Sequence, residues 1–347
     1  MSYLITSSEK TNEKASDMET KALLYLMNFY RNRDAIEFFA IDFFNDVTGI
    51  HRLQDEAYDL QSKGNTNINA KKIGRFLITL FKNYISDLNF KDFILFIGGI
   101  SPSALINPNL FVFDINNFTK RAQQAIKRGL IEEGTEKSYI DNSSITDAKI
   151  SSFLSKVSFV IDDKSKEEYI KGIIQNENII IDDEKEYLQK IFEEIRAKQH
   201  AKKLSKVEGI LIHQISEFFH YNRHLSTGEI KLMVLSRLVN KTSLIEGIPQ
   251  SFMEYACSIR QNKLDRQEFI QSCQNQLFRM VCDKNNAQAY WKLFEDIYYI
   301  AKDPLNKNQS LEVLLKTIPR DHILNVHHLD REAVLYFIAL LKEAFEK

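Results

Sequence analysis

Acidic, amide and basic side chains come together near residue 60 of the sequence. The segment that contains Asp59, Gln61 and Lys63 alternates apolar and polar residues, as a β-strand with one buried face does. Side chains alternate between the two faces of a strand, so these three share one face. Asp46 follows a strongly apolar run, residues 36–44, which predicts the neighbouring strand. The sequence therefore predicts that an acid at the end of one strand meets a Gln-x-Lys sequence on the next.

This combination of side chains suits the hydrolysis of a phosphodiester. The reaction needs an activated water and neutralisation of charge in the transition state, and Mg²⁺ (or Mn²⁺) supplies both. Asp46 is predicted as the anionic ligand, with the Gln61 side-chain carbonyl and the Ser62 backbone carbonyl as further oxygen ligands. Lys63 is predicted to orient the water or neutralise the developing charge. Asp59 is a candidate accessory acid that supplies the negative charge Gln61 lacks.

An acid followed by a Gln-x-Lys sequence is a weak pattern when it stands alone. A surface strand with solvated Asp and Lys side chains produces the same pattern. The surrounding sequence favours a site, because the pattern ends a predicted strand and precedes a basic helix and a buried strand.

A first helix is predicted from Glu13 to about Arg31, because apolar residues recur along it at helical spacing. Glu19 lies beside the apolar stripe of this helix rather than opposite it. One interpretation is a residue at the boundary of the core. The other is an additional acid that faces the metal site.

Basic helices and buried strands follow the Gln-x-Lys sequence. The helix predicted at about 70–87 carries Lys71, Lys72 and Arg75 on its outer side, where they are candidates for contacts with nucleic-acid phosphates. The continuous apolar run 93–97 predicts a fully buried central strand. Further elements are predicted at about 117–132 (helix), 145–154 (helix) and 156–161 (strand). This order of elements predicts an α/β layer with helices packed on a mixed sheet.

Beyond about residue 165 the strand signal fades, and helical periodicity continues to the end of the sequence. We therefore predict an α/β domain at residues 1–178 and an all-α regulatory or partner-docking domain at residues 179–347. Helices of the second domain are predicted at about 183–200, 205–222, 226–239, 250–260, 265–282, 285–302, 309–317 and 329–346. The basic segment 196–203 is interpreted as a solvated helix end or linker.

The composition is that of an ordinary folded chain of 347 residues with a formal net charge of -1. A nucleic-acid surface must then be a local patch rather than a property of the whole chain. Three cysteines without close pairs argue against a disulfide framework and against a zinc site. The first residues lack the pattern of a signal peptide, and no apolar run is long enough to span a membrane. We expect a cytoplasmic protein.

The segment from Phe38 to Lys63 resembles the PD-(D/E)xK restriction-endonuclease-like superfamily. An apolar strand leads to Asn-Asp-Val at residues 45–47 and then to Asp-Leu-Gln-Ser-Lys-Gly at residues 59–64. Within that superfamily the chain resembles the double-stranded DNA nuclease domain of bacterial anti-phage effectors, the DUF4297 type. The later runs 93–99 and 153–159 are also similar to strands of that domain, and the resemblance covers about residues 10–175.

The resemblance implies a restriction-endonuclease-like α/β fold and metal-dependent cleavage of double-stranded DNA. Asp46, Gln61 and Lys63 then correspond to the acid, the variable position and the lysine of the motif. Glu19 corresponds to the acid that such nucleases often carry on the first helix. Gln61 stands where Asp or Glu is usual, a departure that bears on metal affinity.

The resemblance also implies partners. The nuclease domain occurs in cyclic-oligonucleotide-signalling (CBASS) and in Lamassu defence systems. The second half of this chain reads as helical, unlike the α/β sensor domain of the signalling effectors, so the Lamassu type is favoured. That type implies an SMC-like ATPase complex that holds the nuclease inactive, and activation by assembly into a homo-oligomer.

Two other hypotheses remain open from the sequence. In one, the restriction-like fold is a catalytically silent DNA-binding or scaffold module, and Gln61 marks the lost activity. In the other, the chain is a purely helical adaptor whose apparent strands are buried segments of helices. DNA binding unaffected by metal favours the first, and an almost absent β signal in circular dichroism favours the second.

Overall fold

The chain folds into two compact units, Met1–Thr227 and Gly228–Lys347. The computed structural model describes residues 3–5, 13–176, 185–204, 206–231, 233–234, 237, 248–282 and 287–345. The domain boundary predicted between residues 178 and 179 lies outside the described residues. The first unit extends well past that boundary, because a helix and three short elements between residues 185 and 226 pack within it.

Most of the strands described in the first unit form one mixed sheet. In spatial order its seven described strands are β6 (Val112–Phe113), β7 (Val157–Ile161), β5 (Phe90–Ile97), β4 (Ala57–Lys63), β3 (Val47–His51), β2 (Ile36–Ile41) and β9 (His224–Ser226). Strands β4, β5 and β7 run parallel, and the remaining pairs are antiparallel. A separate antiparallel pair joins β1 (Tyr3–Leu4) to β8 (Leu211–Ile212).

Helices cover both faces of the sheet. Within the described residues of this unit the helices are α1 (Glu13–Asn28), α2 (Ala70–Phe76), α3 (Ile78–Tyr84), α4 (Lys120–Glu136), α5 (Asp147–Leu154), α6 (Lys166–Asn176) and α7 (Lys185–Lys202). On β5, the ring of Phe96 contacts Tyr25 of α1, whereas the ring of Phe93 contacts Tyr84 of α3. Side chains three apart on a strand point to opposite faces, so α1 and α3 lie on opposite sides of the sheet.

Burial on both faces explains the apolar run of the central strand. Every residue from Phe93 to Ile97 is buried, as the sequence predicts for a parallel strand between two helical layers. On one side the core contains residues of α2, α3, α4 and α5. The mixed sheet flanked by helices confirms the predicted α/β class for the first half, and it contradicts the purely helical alternative.

Strand β4 is more deeply buried than the sequence predicts. The alternation around residue 60 indicates a strand with one solvated face, yet the residues from Ala57 to Ser62 are all buried. Helices α1 and α3 both pack on this strand, so both of its faces are covered. Its polar residues therefore face protein rather than water.

Two local predictions are wrong. The sequence predicts a turn near residues 45–49, but residues 47–49 belong to β3, and the turn lies at residues 42–46. The helix predicted at 70–87 is broken at Leu77, because α2 packs against α4 whereas α3 packs on β4 and β5.

The predicted helix at 205–222 is also wrong. This region contains β8 and a short 3₁₀ helix, Ile215–His220, and it leads into β9, which pairs with β2. The apolar residues that suggested a helix are aromatic rings that pack against loop and strand rings, such as Phe218 on Phe43 and Phe219 on Phe38. The chain is therefore still part of the first unit at β9.

The second unit is helical, as predicted. Its described residues form α8 (Gln250–Ile259), α9 (Lys263–Cys282), α10 (Ala287–Lys302), α11 (Leu311–Thr317), α12 (Arg320–Leu324) and α13 (Arg331–Phe345). Helix α13 is the centre of the unit, since α8, α9, α10 and α11 all pack on it and most of its residues are buried. Part of the predicted helix 226–239 lies outside the described residues.

In the part of the chain that the structure describes, no helix combines the length and the apolar character needed to cross a bilayer. Cys257 and Cys273 are free thiols, Cys257 exposed and Cys273 buried.

Glycine allows helix α2 to approach helix α4 very closely. A Cβ atom at Gly129 would lie 2.0 Å from the carbonyl oxygen of Lys71, and one at Gly74 would lie 2.0 Å from that of Ile126. Backbone atoms cannot move aside as a flexible side chain does, so neither position tolerates a methyl group without displacing a helix.

We predict that Gly129→Ala lowers the free energy of unfolding by about 1–3 kcal/mol, because it overpacks this crossing. Alanine in a helix otherwise stabilises by roughly 1 kcal/mol relative to glycine. The matched control is Gly134→Ala in the same helix, where the new methyl meets side-chain atoms alone, the nearest being the end of Ile145 at 3.0 Å. Urea unfolding followed by circular dichroism measures both. Equal stability of the two variants would contradict the prediction.

Candidate active site

The Asp46 carboxylate lies beside the last residues of β4. Its Oδ2 accepts hydrogen bonds from the Ser62 backbone N–H (2.8 Å), the Ser62 hydroxyl (2.8 Å) and the Gln61 side-chain amide (2.7 Å). The antiparallel register of β3 on β4 produces this meeting, because Val47 lies opposite Leu60 and the residue before it reaches the strand end. The predicted pairing of Asp46 with Gln61 is thus present in the structure.

Both polar atoms of the Gln61 side-chain amide form hydrogen bonds. Its Nε2 donates to Asp46, and its Oε1 accepts a hydrogen bond from the Thr79 hydroxyl of α3 at 2.6 Å. The carbonyl oxygen predicted as a metal ligand therefore faces α3 here, and the amide nitrogen faces the acid.

Lys63 follows on the same face of β4. Its ammonium group lies 5.7 Å from the centre of the Phe76 ring at the end of α2, and the residue is only partly buried. Lys72 approaches the same ring at 5.5 Å. A cation near an aromatic face is attracted to it, so the ring keeps two lysines close to the end of β4.

Asp59 lies deeper in the fold than a metal ligand would. It is fully buried, and its carboxylate accepts hydrogen bonds from Asn83 (2.6 Å), Thr48 (3.0 Å) and Asn45 (3.3 Å). Burial raises the pKa of Asp59 to about 7, although these three donors oppose the rise. The geometry favours a structural role for Asp59 over the accessory role predicted from the sequence.

Glu19 approaches from the α1 side of the sheet. Its carboxylate forms an ion pair with Lys203, whose side chain is 9% exposed and follows the end of α7. Burial and the nearby Asp46 carboxylate raise the pKa of Glu19 to about 7, against the opposing effect of Lys203. Glu19 therefore lies at the boundary of the core with its carboxylate engaged by Lys203, and its role as an additional acid of a metal site stays a prediction.

A third acid, Asp42, belongs to the same surroundings. Its backbone N–H donates to the Asp46 carbonyl, and its side chain pairs with the nearly buried Arg223 at 3.0 Å. Burial raises the pKa of Asp42, while Lys203 and Arg223 oppose that rise and Asp46 adds to it. Asp42 has a φ of 48°, a left-handed conformation that aspartate adopts more readily than most residues.

The basic side chains of α2 line a cleft of about 590 Å³ beside Gln61 and Lys63. We call it the basic cleft, and its cationic lining residues are Lys63, Lys71, Lys72, Arg75 and Lys137. Glu133 is an acid in this lining. Phe76 and Tyr139 contribute aromatic rings to the same cleft.

Acids on α4 hold some of these cations in place. Glu132 accepts contacts from Lys71 at 2.7 Å and from Arg75 at 3.3 Å, and Lys137 pairs with Glu133 at 3.1 Å. Such exposed pairs contribute little to stability. A phosphate that entered the cleft would compete with these acids for the α2 cations.

Sequence reasoning missed Asn83, Thr79, Lys203 and Arg223. Thr79 and Asn83 lie four residues apart on α3, a spacing that indicates one helix face, and this signal was available. Lys203 gave no such signal, since it contacts an acid 184 residues away. The basic segment 196–203 was interpreted as solvated, yet Arg196 pairs with Asp17 of α1.

The described residues include no group of three or more His, Cys, Asp or Glu side chains placed to hold a metal ion. Glu19, Asp42 and Asp46 interact electrostatically without converging on one point. Metal binding in this conformation would therefore depend on Asp46 together with amide, backbone or water oxygens. Oxygen ligands of this kind are those that Mg²⁺ takes in proteins.

Comparisons of the chain with protein-family models, with curated proteins and with solved structures find no match. The function of the site is therefore argued from its geometry.

We predict that Asn83→Ala lowers the free energy of unfolding by roughly 2–4 kcal/mol, since each buried group left without a partner costs about 1–3 kcal/mol. Asn83 bridges Asp59 and the Tyr3 hydroxyl in the interior. The matched control is Asn89→Ala, an exposed asparagine expected to change stability by less than about 0.5 kcal/mol. Chemical unfolding measures both, and a neutral Asn83→Ala would show that the network is not stabilising.

Proposed function

We propose that this chain is a metal-dependent double-stranded DNA endonuclease with a restriction-endonuclease-like N-terminal unit. It acts in the cytoplasm as an effector of a bacterial anti-phage or anti-plasmid defence system. The observation that carries the proposal is the Asp46 carboxylate, which meets Gln61 and Ser62 at the end of β4 with Lys63 one residue further along. We interpret these residues as the acid, the variable position and the lysine of the PD-(D/E)xK pattern, with the first two in direct contact.

The donor set suits Mg²⁺ or Mn²⁺ if the Gln61 amide turns. A half turn about its last side-chain bond presents Oε1 toward Asp46 and Nε2 toward Thr79. The Thr79 hydroxyl serves either orientation, because a hydroxyl both donates and accepts hydrogen bonds. The Asp46 Oδ1 atom accepts no hydrogen bond from residues that the structure describes, which leaves it open to a cation.

Each residue of the site then has a role. A bound divalent cation would supply Lewis-acid activation of water and of the scissile phosphate. Asp46 and Gln61 would hold that cation, and Glu19 would add negative charge from the α1 side. Lys63 would donate hydrogen bonds to the attacking water or to the phosphate oxygens, neutralising the charge that develops on them.

The basic cleft supports a DNA substrate. It begins at Lys63 and continues along Lys71, Lys72 and Arg75, so a phosphate backbone that follows α2 passes the end of β4. Lysine and arginine contacts to phosphates position a nucleic acid without reading its sequence. A local basic patch on a chain of net charge -1 is the arrangement that the composition requires.

Control by partners is part of the proposal. We propose that an SMC-like ATPase complex holds the nuclease inactive by docking on the helical second unit, and that assembly into a homo-oligomer activates it. The support is architectural, since a unit made of helices around α13 offers helix faces to a partner. A nuclease that cuts both strands also benefits from two active sites in one assembly.

We predict that Lys63→Ala and Asp46→Asn each reduce Mg²⁺-dependent cleavage of duplex DNA by about 100-fold or more, because each removes charge stabilisation at the reacting phosphate. The assay follows linear and plasmid DNA on gels with Mg²⁺, Mn²⁺ or EDTA. The control is Lys91→Ala, an exposed lysine near the opposite end of the sheet that pairs with Glu56. Cleavage that survives Lys63→Ala would contradict the proposal.

A catalytically silent DNA-binding module is the alternative, and Gln61 in place of an acid favours it. The same assay separates the two functions when the chain is expressed alone and again together with its genomic neighbours. Absence of cutting in both preparations, with DNA binding that is indifferent to metal, would favour the silent module. Metal-dependent cutting in either preparation would exclude it.

We predict that Lys72→Ala weakens DNA binding at every sequence and reduces the slope of log K against log salt by about 1, because one phosphate contact is lost. Fluorescence anisotropy with a labelled duplex in EDTA measures this without cleavage. Lys91→Ala again serves as the control and should leave the slope unchanged. An unchanged slope for Lys72→Ala would place the DNA elsewhere.

A further inference from the structure

A lysine from outside the predicted nuclease segment is inserted among the acids of the site. Lys203 lies just beyond the end of α7, and its ammonium group pairs with Glu19 of α1. Arg223 joins the backbone of Lys203 to that of Asp42, because it donates to both carbonyls. Asp42 in turn donates its backbone N–H to the Asp46 carbonyl at 3.1 Å. A positive charge therefore already stands next to the place where the proposed function needs a metal ion.

The position of Lys203 is fixed from two directions. Arg223 donates to the backbone carbonyl of Lys203 at 3.0 Å and to the carbonyl of Asp42 at 2.7 Å, tying the two segments together. The Arg223 guanidinium also pairs with the Asp42 carboxylate. Lys203 is thus held by Arg223 at its backbone carbonyl and by Glu19 at its ammonium group, unlike a mobile surface lysine.

Helix α7 is joined to α1 by polar contacts along its length. Arg196 pairs with Asp17 at 2.5 Å, and Gln199 accepts a hydrogen bond from Thr20 at 2.9 Å. Together with the pair formed by Lys203, these contacts lie on one side of α7. The buried apolar residues of α7 end at Ile195, so the body of the helix stays anchored while a partner that replaces these polar contacts can withdraw its last turns.

We propose that Lys203 is an autoinhibitory cation, held by α7 and Arg223, which competes with the divalent metal for the acids of the active site. This inference rests on the proposed function and names the regulation of that same site. While Lys203 is in place, Glu19 is engaged and the acids do not converge. Withdrawal of the end of α7 frees Glu19 to join Asp46, so a partner that holds or releases this segment controls metal binding.

The test measures binding of Mn²⁺ alone to the purified full chain, without DNA, by isothermal titration calorimetry. We expect Lys203→Met to tighten Mn²⁺ binding by about tenfold or more, because a like charge is removed from a partly buried site. Lys203→Arg retains the charge and should bind Mn²⁺ as the wild type does. Lys91→Met removes an exposed lysine elsewhere and should also match the wild type.

A second neutral variant separates the loss of the charge from the loss of the contact between α7 and α1. Lys203→Gln keeps a hydrogen-bond donor for Glu19, so it preserves the contact between α7 and α1 while removing the charge. Circular dichroism and thermal unfolding without metal establish that each variant is folded. We expect the same tightening in Lys203→Gln as in Lys203→Met.

The location of the metal is tested by adding Asp46→Asn to Lys203→Met. Loss of the gained affinity supports the proposal, whereas persistence of the gain places the metal elsewhere and overturns it. Unchanged or weaker binding in both neutral variants also overturns it, since Lys203 is then a structural ion pair. If Asp46→Asn nevertheless abolishes this Mn²⁺ binding, the metal site of the proposed nuclease is supported although the autoinhibition is not. Absence of Mn²⁺ binding in every variant removes both the autoinhibition and the metal on which the proposed function depends.

Discussion

The structure depends on the burial of polar side chains along strand β4. A strand covered by helices on both faces normally carries apolar residues, yet this one carries Asp59, Gln61 and Ser62 in its buried part. A buried polar group without a partner costs far more than a hydrogen bond contributes. The elements around β4 must therefore supply partners, and their positions follow from that requirement.

Helix α3 meets this requirement from one side and the β2–β3 turn from the other. Thr79 and Asn83 lie one helical turn apart and reach Gln61 and Asp59 respectively. The turn brings Asp46 to the strand end, where its carboxylate accepts from Ser62. The break at Leu77 belongs to the same arrangement, because it lets α3 face β4 while α2 carries the cations of the basic cleft.

Local pattern was enough to predict the parts of this fold that depend on neighbours in sequence. The strands predicted from the apolar run of β5 and from the alternation of β4 are present, although β4 lacks the predicted solvated face, and the helices predicted for α1 and for the second unit are present too. The meeting of Asp46 with Gln61 was also predictable, since adjacent strands separated by a short segment tend to pair.

Contacts between distant segments were beyond the same reasoning. The helix predicted at 205–222 is absent because aromatic residues that pack on β2 and on the loop after it have a spacing that imitates a helix. The ion pair between Arg223 and Asp42 joins residues 181 apart, and nothing near either residue in sequence indicates it. The domain boundary was placed too early for the same reason, because α7 and β9 belong to the first unit only through such contacts.

Charge balance gives Gln61 a physical explanation that does not require lost catalysis. Glu19, Asp42 and Asp46 already gather on and beside the α1 side of the sheet, opposed by Lys203 and Arg223. A carboxylate at position 61 would add a fourth negative charge in contact with Asp46, in a region where burial already raises the pKa of Glu19 and Asp42. An amide avoids that repulsion, donates to Asp46 and keeps a carbonyl oxygen on Thr79. In the proposed function, the negative charge that position 61 does not provide would come from Glu19 of α1 once Glu19 is released from Lys203.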